Sequence, residues 1–558
     1  RRLEVEHLGP VCDRLGSVVC AARLFGQMAW RWPRHSCYPL GFMAMGDWIY
    51  RNRLTLLLTC VAAYYLRQVS DGLWVDDFWD HSAAVSALMR DLIHPRHAQL
   101  AIEQPFAFFT PYSLMVASAA RLSGLASIDA LALFGLFNGA LLVYGLRRYL
   151  RAMGVADEQG VLFYGILCVL FLWGAGGWAY SGFFHAGILK FVLPYPSAFA
   201  TGLALLGLAL NRTLREPGVS LLMLAVLAIL TIVMLTHPVA FIFMVAGLFA
   251  DAITRSRRRA EAILMVVILI LAAVAVSLLW PYYPFLRLAL GAANVYHASN
   301  GVMYLNILGA TWPVIVLLPF AGRLLTKACN RPLVVTAILL LGLYVVAGIV
   351  HKYSYGRVIS YVMLLAQLVI AQRIAQWDHA LFERPTVRRY GPPLILLALC
   401  ALWLGEIQAT LTRTLTAANS LVKGRTEMRR MSFGHLDFLR NRIEPGSVVL
   451  ANLETSWIIP TFGAKVVALL HPHAFIEDLE RRGQDLAAFF AAGTPPELRQ
   501  RTIERYGVRY ILLSKTRDPA WQEISEQFVL KAGANVVYED SGNVLIKLAG
   551  PGDSPILK

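Results

Sequence analysis

The stretch Trp74-Val75-Asp76-Asp77-Phe78-Trp79-Asp80-His81 places three carboxylates and an imidazole within six residues, just after an apolar run at 54–70. In a helix starting here, Asp77 and His81 stand four apart and share a face, with Asp80 beside them. Asp76 falls at or before the helix start, where a carboxylate can take up free backbone N–H groups. In an ordinary loop the plain reading would be a capping Asp76 or Asp77 and a solvated Asp80. Acidic side chains are costly and rare near a bilayer, so a cluster at the mouth of a first span marks a functional site. A carboxylate there can accept the proton of an incoming hydroxyl beside a departing phosphate, while a second acid or His81 orients the group. Asp76 and Asp77 are therefore the catalytic candidates, and also the ligand candidates for a divalent cation, Mg or Mn. Asp80 and His81 are the adjoining substrate-binding candidates.

A departing phosphate also needs positive or hydrogen-bonding groups where negative charge grows. Arg357 in Tyr353-Ser354-Tyr355-Gly356-Arg357, together with Lys352, Tyr353, Lys190 and Arg287, can supply them. Each of the cations can equally snorkel toward lipid headgroups. Arg357 stands out because it opens an apolar segment and is surrounded by Tyr and Gly. His237, before Pro238 in a tight turn, is either a ligand for sugar or phosphate or a turn residue satisfied by backbone. His94, Arg96 and His97 read as interfacial, Glu103 is left open, and Tyr180, Tyr195, Tyr282, Tyr283 and Tyr296 fit an aromatic belt more than a sugar-stacking groove.

These residues need a scaffold, and composition describes it. Of the 558 residues, 57% are hydrophobic and only 15% charged, with mean hydropathy +0.55; soluble domains carry about 25% charged residues. Apolar runs long enough to cross a bilayer lie near 54–70, 128–146, 159–176, 192–210, 219–235, 238–253, 261–280, 302–321, 332–350, 357–373 and 391–410. The net charge of +16 is spread over short clusters between these runs (Arg51 and Arg53; Arg147, Arg148 and Arg151; Arg212 and Arg215; Arg255 with Arg257, Arg258 and Arg259; Arg323, Lys327 and Arg331; Arg384, Arg388 and Arg389). That is the pattern of cytoplasmic anchors, and it argues against a nucleic-acid partner. If 110–124 does not cross, every cluster falls on one side. Residues 71–126 then form one large external loop with amphipathic or re-entrant helices against the membrane, and Tyr180–Tyr195, Thr236–Pro238, Pro281–Gly301 and His351–Arg357 share its side. The seven cysteines show no metal-ligand spacing, and none lies in the polar C-terminal region.

From 425 onward short strands at 447–451, 508–513 and 544–547 alternate with helical spacing at 475–492 and 495–506, which predicts a small α/β domain. The expected fold class is an α-helical polytopic membrane protein of about 11–13 transmembrane helices with a small C-terminal α/β extracytoplasmic domain. The expected division is 1–50 as a cytoplasmic N-terminal segment, 51–424 as the membrane domain and 425–558 as the soluble domain. Residues 1–42 precede Met43 and Met45, either a more natural start, and are expected to carry no function.

The acidic motif resembles the first external loop of the GT-C class of integral-membrane glycosyltransferases, which includes protein O-mannosyltransferases, lipid A aminoarabinose transferases and the oligosaccharyltransferase catalytic subunit. Gln104-Pro105-Phe106-Ala107-Phe108-Phe109-Thr110-Pro111-Tyr112, leading into a helix closed by Arg121-Leu122-Ser123-Gly124-Leu125, is similar as well. So is Glu504-Arg505-Tyr506-Gly507-Val508-Arg509-Tyr510-Ile511-Leu512 in the terminal domain. The resemblance implies a catalytic or metal-binding role for Asp76 or Asp77. It also implies a polyprenyl-phosphate sugar donor, a glycan, lipid or protein acceptor, and a site on the periplasmic face of a bacterial inner membrane. This chain has Asp-Asp where the mannosyl and aminoarabinosyl branches have Asp-Glu. It lacks the Trp-Trp-Asp motif of oligosaccharyltransferases, which points away from protein N-glycosylation. Two other readings stay open: a transporter or assembly subunit for lipid-linked oligosaccharide, and an O-antigen polymerase or ligase.

Overall fold

In the computed structural model the described residues are 42–155, 157–174, 178–213, 220–291, 300–382, 433–471, 473–531 and 534–548. The expected span at 391–410, Tyr296, Arg215, the cluster Arg384–Arg389 and residues 1–41 lie outside them. Residues 53–558 form one compact unit.

Ten of the eleven expected spans are helices. Six are long and apolar enough to cross a bilayer: Ser127–Ala152, Pro238–Arg255, Arg259–Leu278, Ile307–Leu325, Arg331–Ile349 and Tyr353–Asp378. A seventh is the pair Ala186–Val192 and Pro196–Thr213, bent by 98° at its break, and Glu158–Phe171 and Leu221–Thr236 are shorter apolar helices. The first expected span lies in Phe42–Asp71. The chain is a multi-pass membrane protein. Its outward helix faces are apolar, as Leu264, Leu271, Ile338 and Val346 illustrate, because lipid tails are as apolar as leucine.

Backbone groups freed by the bend must find partners inside the protein. Asn138, fully buried on Ser127–Ala152, donates to the Leu193 carbonyl at 2.7 Å, and the Tyr112 hydroxyl donates to the Pro194 carbonyl at 2.7 Å. Next to this bend, Gly145 and Gly202 let two helices touch through their backbones: a Cβ on Gly145 would run into the Gly202 carbonyl. At the other end of helix Pro196–Thr213, Arg212 meets Asp251 of helix Pro238–Arg255 at 2.8 Å with both side chains buried, a charge pair that satisfies itself inside the bundle.

Hydrogen bonds gather the expected external segments at one end. Tyr195 donates to the Val75 carbonyl at 3.1 Å, Tyr282 to Leu92 at 2.5 Å and Trp280 to Phe109 at 3.0 Å. Helix Pro111–Ser123 starts on Thr110, whose hydroxyl accepts the Ser113 N–H at 3.2 Å, with Pro111 at its first position. It stops at Gly124 in the left-handed conformation, φ 71. Its 13 residues rise only about 20 Å, short of a crossing. Helix Phe78–Arg90 corrects one expectation. It does not lie amphipathically on the membrane but is buried almost all round, from Phe78 through Leu88, with Trp457, Ile458 and Phe462 of the C-terminal region packed against the same core.

That C-terminal region is a five-stranded sheet of order β2-β1-β3-β5-β4, built from β1 (Val448–Leu450), β2 (Lys465–Val466), β3 (Val508–Ser514), β4 (Asn535–Glu539) and β5 (Asn543–Lys547). β1 pairs parallel with β2 and β3; β5 pairs antiparallel with β3 and β4. Helices Leu479–Phe490 and Pro496–Tyr506 cover one face. Leu100 of the first loop belongs to the core on the other face, among Val449, Val466, Tyr510 and Leu545.

Gly145→Ala should lower the thermal midpoint in detergent by an amount equivalent to about 1–3 kcal/mol, since the overpacked contact is backbone. Gly342→Ala, where an added Cβ meets nothing within 4 Å, should leave it unchanged in the same melting assay.

Candidate functional site

The turn before helix Phe78–Arg90 is set by Trp74 stacking on Phe78 at 4.3 Å and by Asp76 in the left-handed region, φ 54, a conformation Asp tolerates better than most residues. The Asp76 carbonyl accepts the Trp79 N–H at 3.2 Å, while its side chain is exposed. Asp77 occupies the helix N-cap position, yet its carboxylate makes no capping bond. The capping role is absent, and the Asp77 carboxylate is left for other partners.

Those partners come from the far end of the chain. The His471 Nδ1 lies 3.7 Å from an Asp77 oxygen and 3.8 Å from an Asp80 oxygen; the His473 Nε2 lies 3.6 Å from Asp80. The Asp80 side chain is 2% exposed and Asp77 44%. Asp80 also accepts a 2.6 Å hydrogen bond from the Gln99 amide. His473 is packed by Phe106 at 5.5 Å and Phe108 at 5.3 Å, and His471 meets the Trp457 ring at 4.4 Å. One oxygen each of Asp77 and Asp80 and one His471 nitrogen lie within 4.8 Å of one another, close enough for a single cation.

The electrostatics separate the two acids. Burial would raise Asp80, but His471, His473 and Gln99 together hold it well below the ordinary carboxylate range. Asp77 goes the other way: burial pushes it up and the Asp80 charge adds to this, while Arg357 and His471 pull against them. His471 is raised by its interaction with Asp80, against the effect of burial. His81 is pushed down to about 4 by burial, with Asp80 opposing, so it is neutral at pH 7. Its ring sits between Phe108 at 5.0 Å and Tyr195 at 5.5 Å.

Arg357, at the start of the last described span, donates to Asn300 at 3.0 Å and to Ser181 at 3.3 Å and lies over the Tyr180 ring. Its charge reaches Asp77 and His237. His237 caps helix Pro238–Arg255 through Nδ1, which accepts the Ala240 N–H at 3.2 Å; its Cε1 faces Gly182. The structure thus brings Asp77, Asp80, His81, His237 and Arg357 to one end of the bundle, with Asp76 at the rim. Lys190 sits over Phe191 at 4.8 Å and Tyr64 at 6.0 Å. Tyr353 bonds His351 at 2.6 Å and packs on Tyr304 at 5.3 Å, and Lys352 is exposed beside it. Arg287 faces Glu477 at 3.6 Å on the surface. His97 turns inward rather than lying at the interface, its Nδ1 accepting the Leu100 N–H at 3.0 Å.

His471 and His473 escaped the sequence reading. The only local signal was two imidazoles spaced by two around Pro472 in a polar region, and nothing near them announces a partner almost 400 residues earlier.

Among solved structures, ArnT from Cupriavidus metallidurans bound to undecaprenyl phosphate is similar with a TM-score of 0.51 and 13% identity, over 89% of this chain and 98% of that one. The chain has the GT-C fold. ArnT in the apo state (TM-score 0.46, 15% identity, 89% of this chain and 98% of that one) is also similar. So is the archaeal oligosaccharyltransferase AglB from Archaeoglobus fulgidus (TM-score 0.46, 10% identity, 84% and 70%). No protein-family model and no curated protein sequence matches the chain.

Asp80→Asn removes the charge that raises His471, so its titration midpoint should move down from its position in the parent protein. Histidine-selective NMR in micelles reads this directly, and an unmoved midpoint would break the assigned contact.

Proposed function

We propose that the protein is a glycosyltransferase that moves a hexose or pentose from a polyprenyl-phosphate donor to an envelope glycan, lipid or protein acceptor on the periplasmic face of a bacterial inner membrane. One observation carries this reading: an uncapped, half-exposed Asp77 next to a buried, charged Asp80, with Arg357 acting on the same carboxylate. The GT-C fold supports it, since the ArnT structure with that fold is bound to undecaprenyl phosphate.

The chemistry follows from the charges. An acceptor hydroxyl gives its proton to Asp77 as its oxygen bonds to the anomeric carbon, and the bond from that carbon to the phosphate oxygen breaks. The electron pair leaves with the polyprenyl phosphate, whose new negative charge needs a fixed cation, the role given to Arg357. A raised Asp77 suits a base, because proton transfer works best when the group's pKa lies near the operating pH. His81, neutral and fixed by two rings, orients sugar or acceptor hydroxyls, and His237 borders the same end.

As the alternative role for Asp77, a divalent cation fits the residues present: Asp77, Asp80 and His471 would hold it by two carboxylate oxygens and one imidazole nitrogen. That mixed set suits Mn more than Mg, which favours an all-oxygen shell. Bound there, it would supply Lewis-acid neutralisation of phosphate charge. Asp76, with its side chain in solvent, contributes backbone shape rather than a ligand.

Asp77→Asn should cut sugar incorporation in membranes by about 10²–10⁴-fold, the range for losing a positioned base, while Asp76→Asn stays within about threefold, the spread expected of a solvent-facing substitution. Full activity in both variants would favour a transporter coupled through another site. In the parent protein, the acid limb of the rate profile should lie above the pH of about 3.9 at which an unperturbed aspartate titrates, since protonation disables the base.

A further inference from the structure

The first external loop and the C-terminal sheet meet along a seam. The Val466 N–H donates to the Gln99 carbonyl at 2.8 Å, and Leu100 pairs with Val466 in parallel, so residues 97–100 extend the sheet beyond β2. The Lys465 amine, buried at 6% exposure, donates to the His97 carbonyl and to the Ala98 carbonyl at 3.2 Å. Arg90 adds a 2.6 Å bond to the Gly463 carbonyl from the helix that carries Asp80. Side chains alternate along an extended segment: Leu100 enters the sheet core, and Gln99 turns toward Asp80, to which it donates at 2.6 Å.

We infer that Gln99 is a positioning residue for the reaction proposed above, acting through Asp80, and that Lys465 holds it in place by clamping residues 97–100 to the edge of the sheet. An edge pairing alone needs only backbone groups. A buried amine on two carbonyls is a costly addition, and its effect is to set where Gln99 begins. Burial pushes the amine down to about 7, with Arg90 and Arg96 adding to this; charged or neutral, it keeps the two N–H donors that the carbonyls take. Gln99 and β2 then fix one Asp80 oxygen from the loop side, while His471 and His473 approach Asp80 from the same domain that supplies β2. The domain is thereby part of the site and not an appendage to it.

The full-length protein in lipid nanodiscs tests this with Gln99→Met, Lys465→Met, the double variant and Lys465→Arg. Two readouts are used: amide hydrogen exchange over 97–101, and kcat and KM with a panel of undecaprenyl-phosphoryl hexoses and pentoses. Lys465→Met should speed exchange over 97–101 by about 10–100-fold, the scale of two lost buried hydrogen bonds, whereas Gln99→Met leaves the seam protected. Each should lower kcat by about 10–100-fold, as loss of groups that orient site ligands does, with donor KM unchanged. The double variant should fall no further than the lower single one, because both act through Asp80; Lys465→Arg, which keeps N–H donors, should recover most of the loss. A Gln99→Met enzyme within about twofold of the parent's kcat overturns the inference, twofold being the noise of a neutral change. A Lys465→Met protein whose 97–101 amides remain protected overturns it too. The exchange readout needs no turnover, so failure of the seam and failure of the glycosyl-transfer reading are told apart.

Discussion

A carboxylate with 2% of its side chain exposed has to be compensated where it sits, and in this protein Asp80 is compensated from two directions. Gln99 reaches it from its own loop, and His471 and His473 reach it from the C-terminal sheet region. Removing one partner of a buried charge typically costs about 3–5 kcal/mol, a large share of the stability of any domain. The loop helix therefore settles with Asp80 inward only when the segment carrying His471 and His473 is folded over it. Burial of Trp79 against Phe433 at 5.7 Å and of Leu100 in the sheet core follow the same requirement with apolar groups. These contacts tie the described C-terminal residues to the membrane helices despite the change in composition near 425.

The same compensation divides labour between neighbouring acids. Asp80 is held charged by its partners and makes a fixed point of negative potential. Asp77, three residues earlier on the same helix start, is raised by burial, and repulsion from that point adds to this. Two carboxyls pushed apart in this way are the usual ground for assigning one to proton transfer and the other to support. Position agrees with electrostatics: the Asp77 side chain is 44% exposed and that of Asp80 only 2%.

What the sequence made legible was what periodicity and local spacing control. Ten apolar runs became helices because runs of that length have nowhere else to satisfy their backbone, and strands at 448–450, 508–514 and 543–547 fell where β-branched and leucine residues cluster. The acidic cluster was readable because carboxylates beside a membrane span are conspicuous. Harder to read were β2, only two residues long, and β4, whose exposed Asn535-Val536-Val537-Tyr538-Glu539 lacks a clean alternation. Least legible was the seam, since pairing of 97–100 with 465–466 spans more than 360 positions and is carried by single residues. His97 shows the consequence. Preceded by Pro95 and Arg96 it looks interfacial, but its orientation is decided by an edge-to-face contact with Phe106 at 4.7 Å and by the backbone turn it accepts from.

The bent helix pair near Leu193–Tyr195 bears on the transporter alternative. Discontinuous membrane helices in transporters leave dipole ends and unwound carbonyls available to a substrate or coupling ion. Here the Leu193 and Pro194 carbonyls are already taken by Asn138 and Tyr112, and the Tyr195 hydroxyl is turned to the Val75 carbonyl at the base of the acidic loop. The bend braces the loop that carries Asp77, and its carbonyls at 193 and 194 are occupied within the protein. Asp77 stands on a loop braced by that bend, with the His471 imidazole 3.7 Å from its carboxylate, and Asp80 beside it faces both His471 and His473. In the reaction proposed above, a fixed base suits transfer to a sugar carbon, whereas a coupling acid in a transporter must change its surroundings in every cycle.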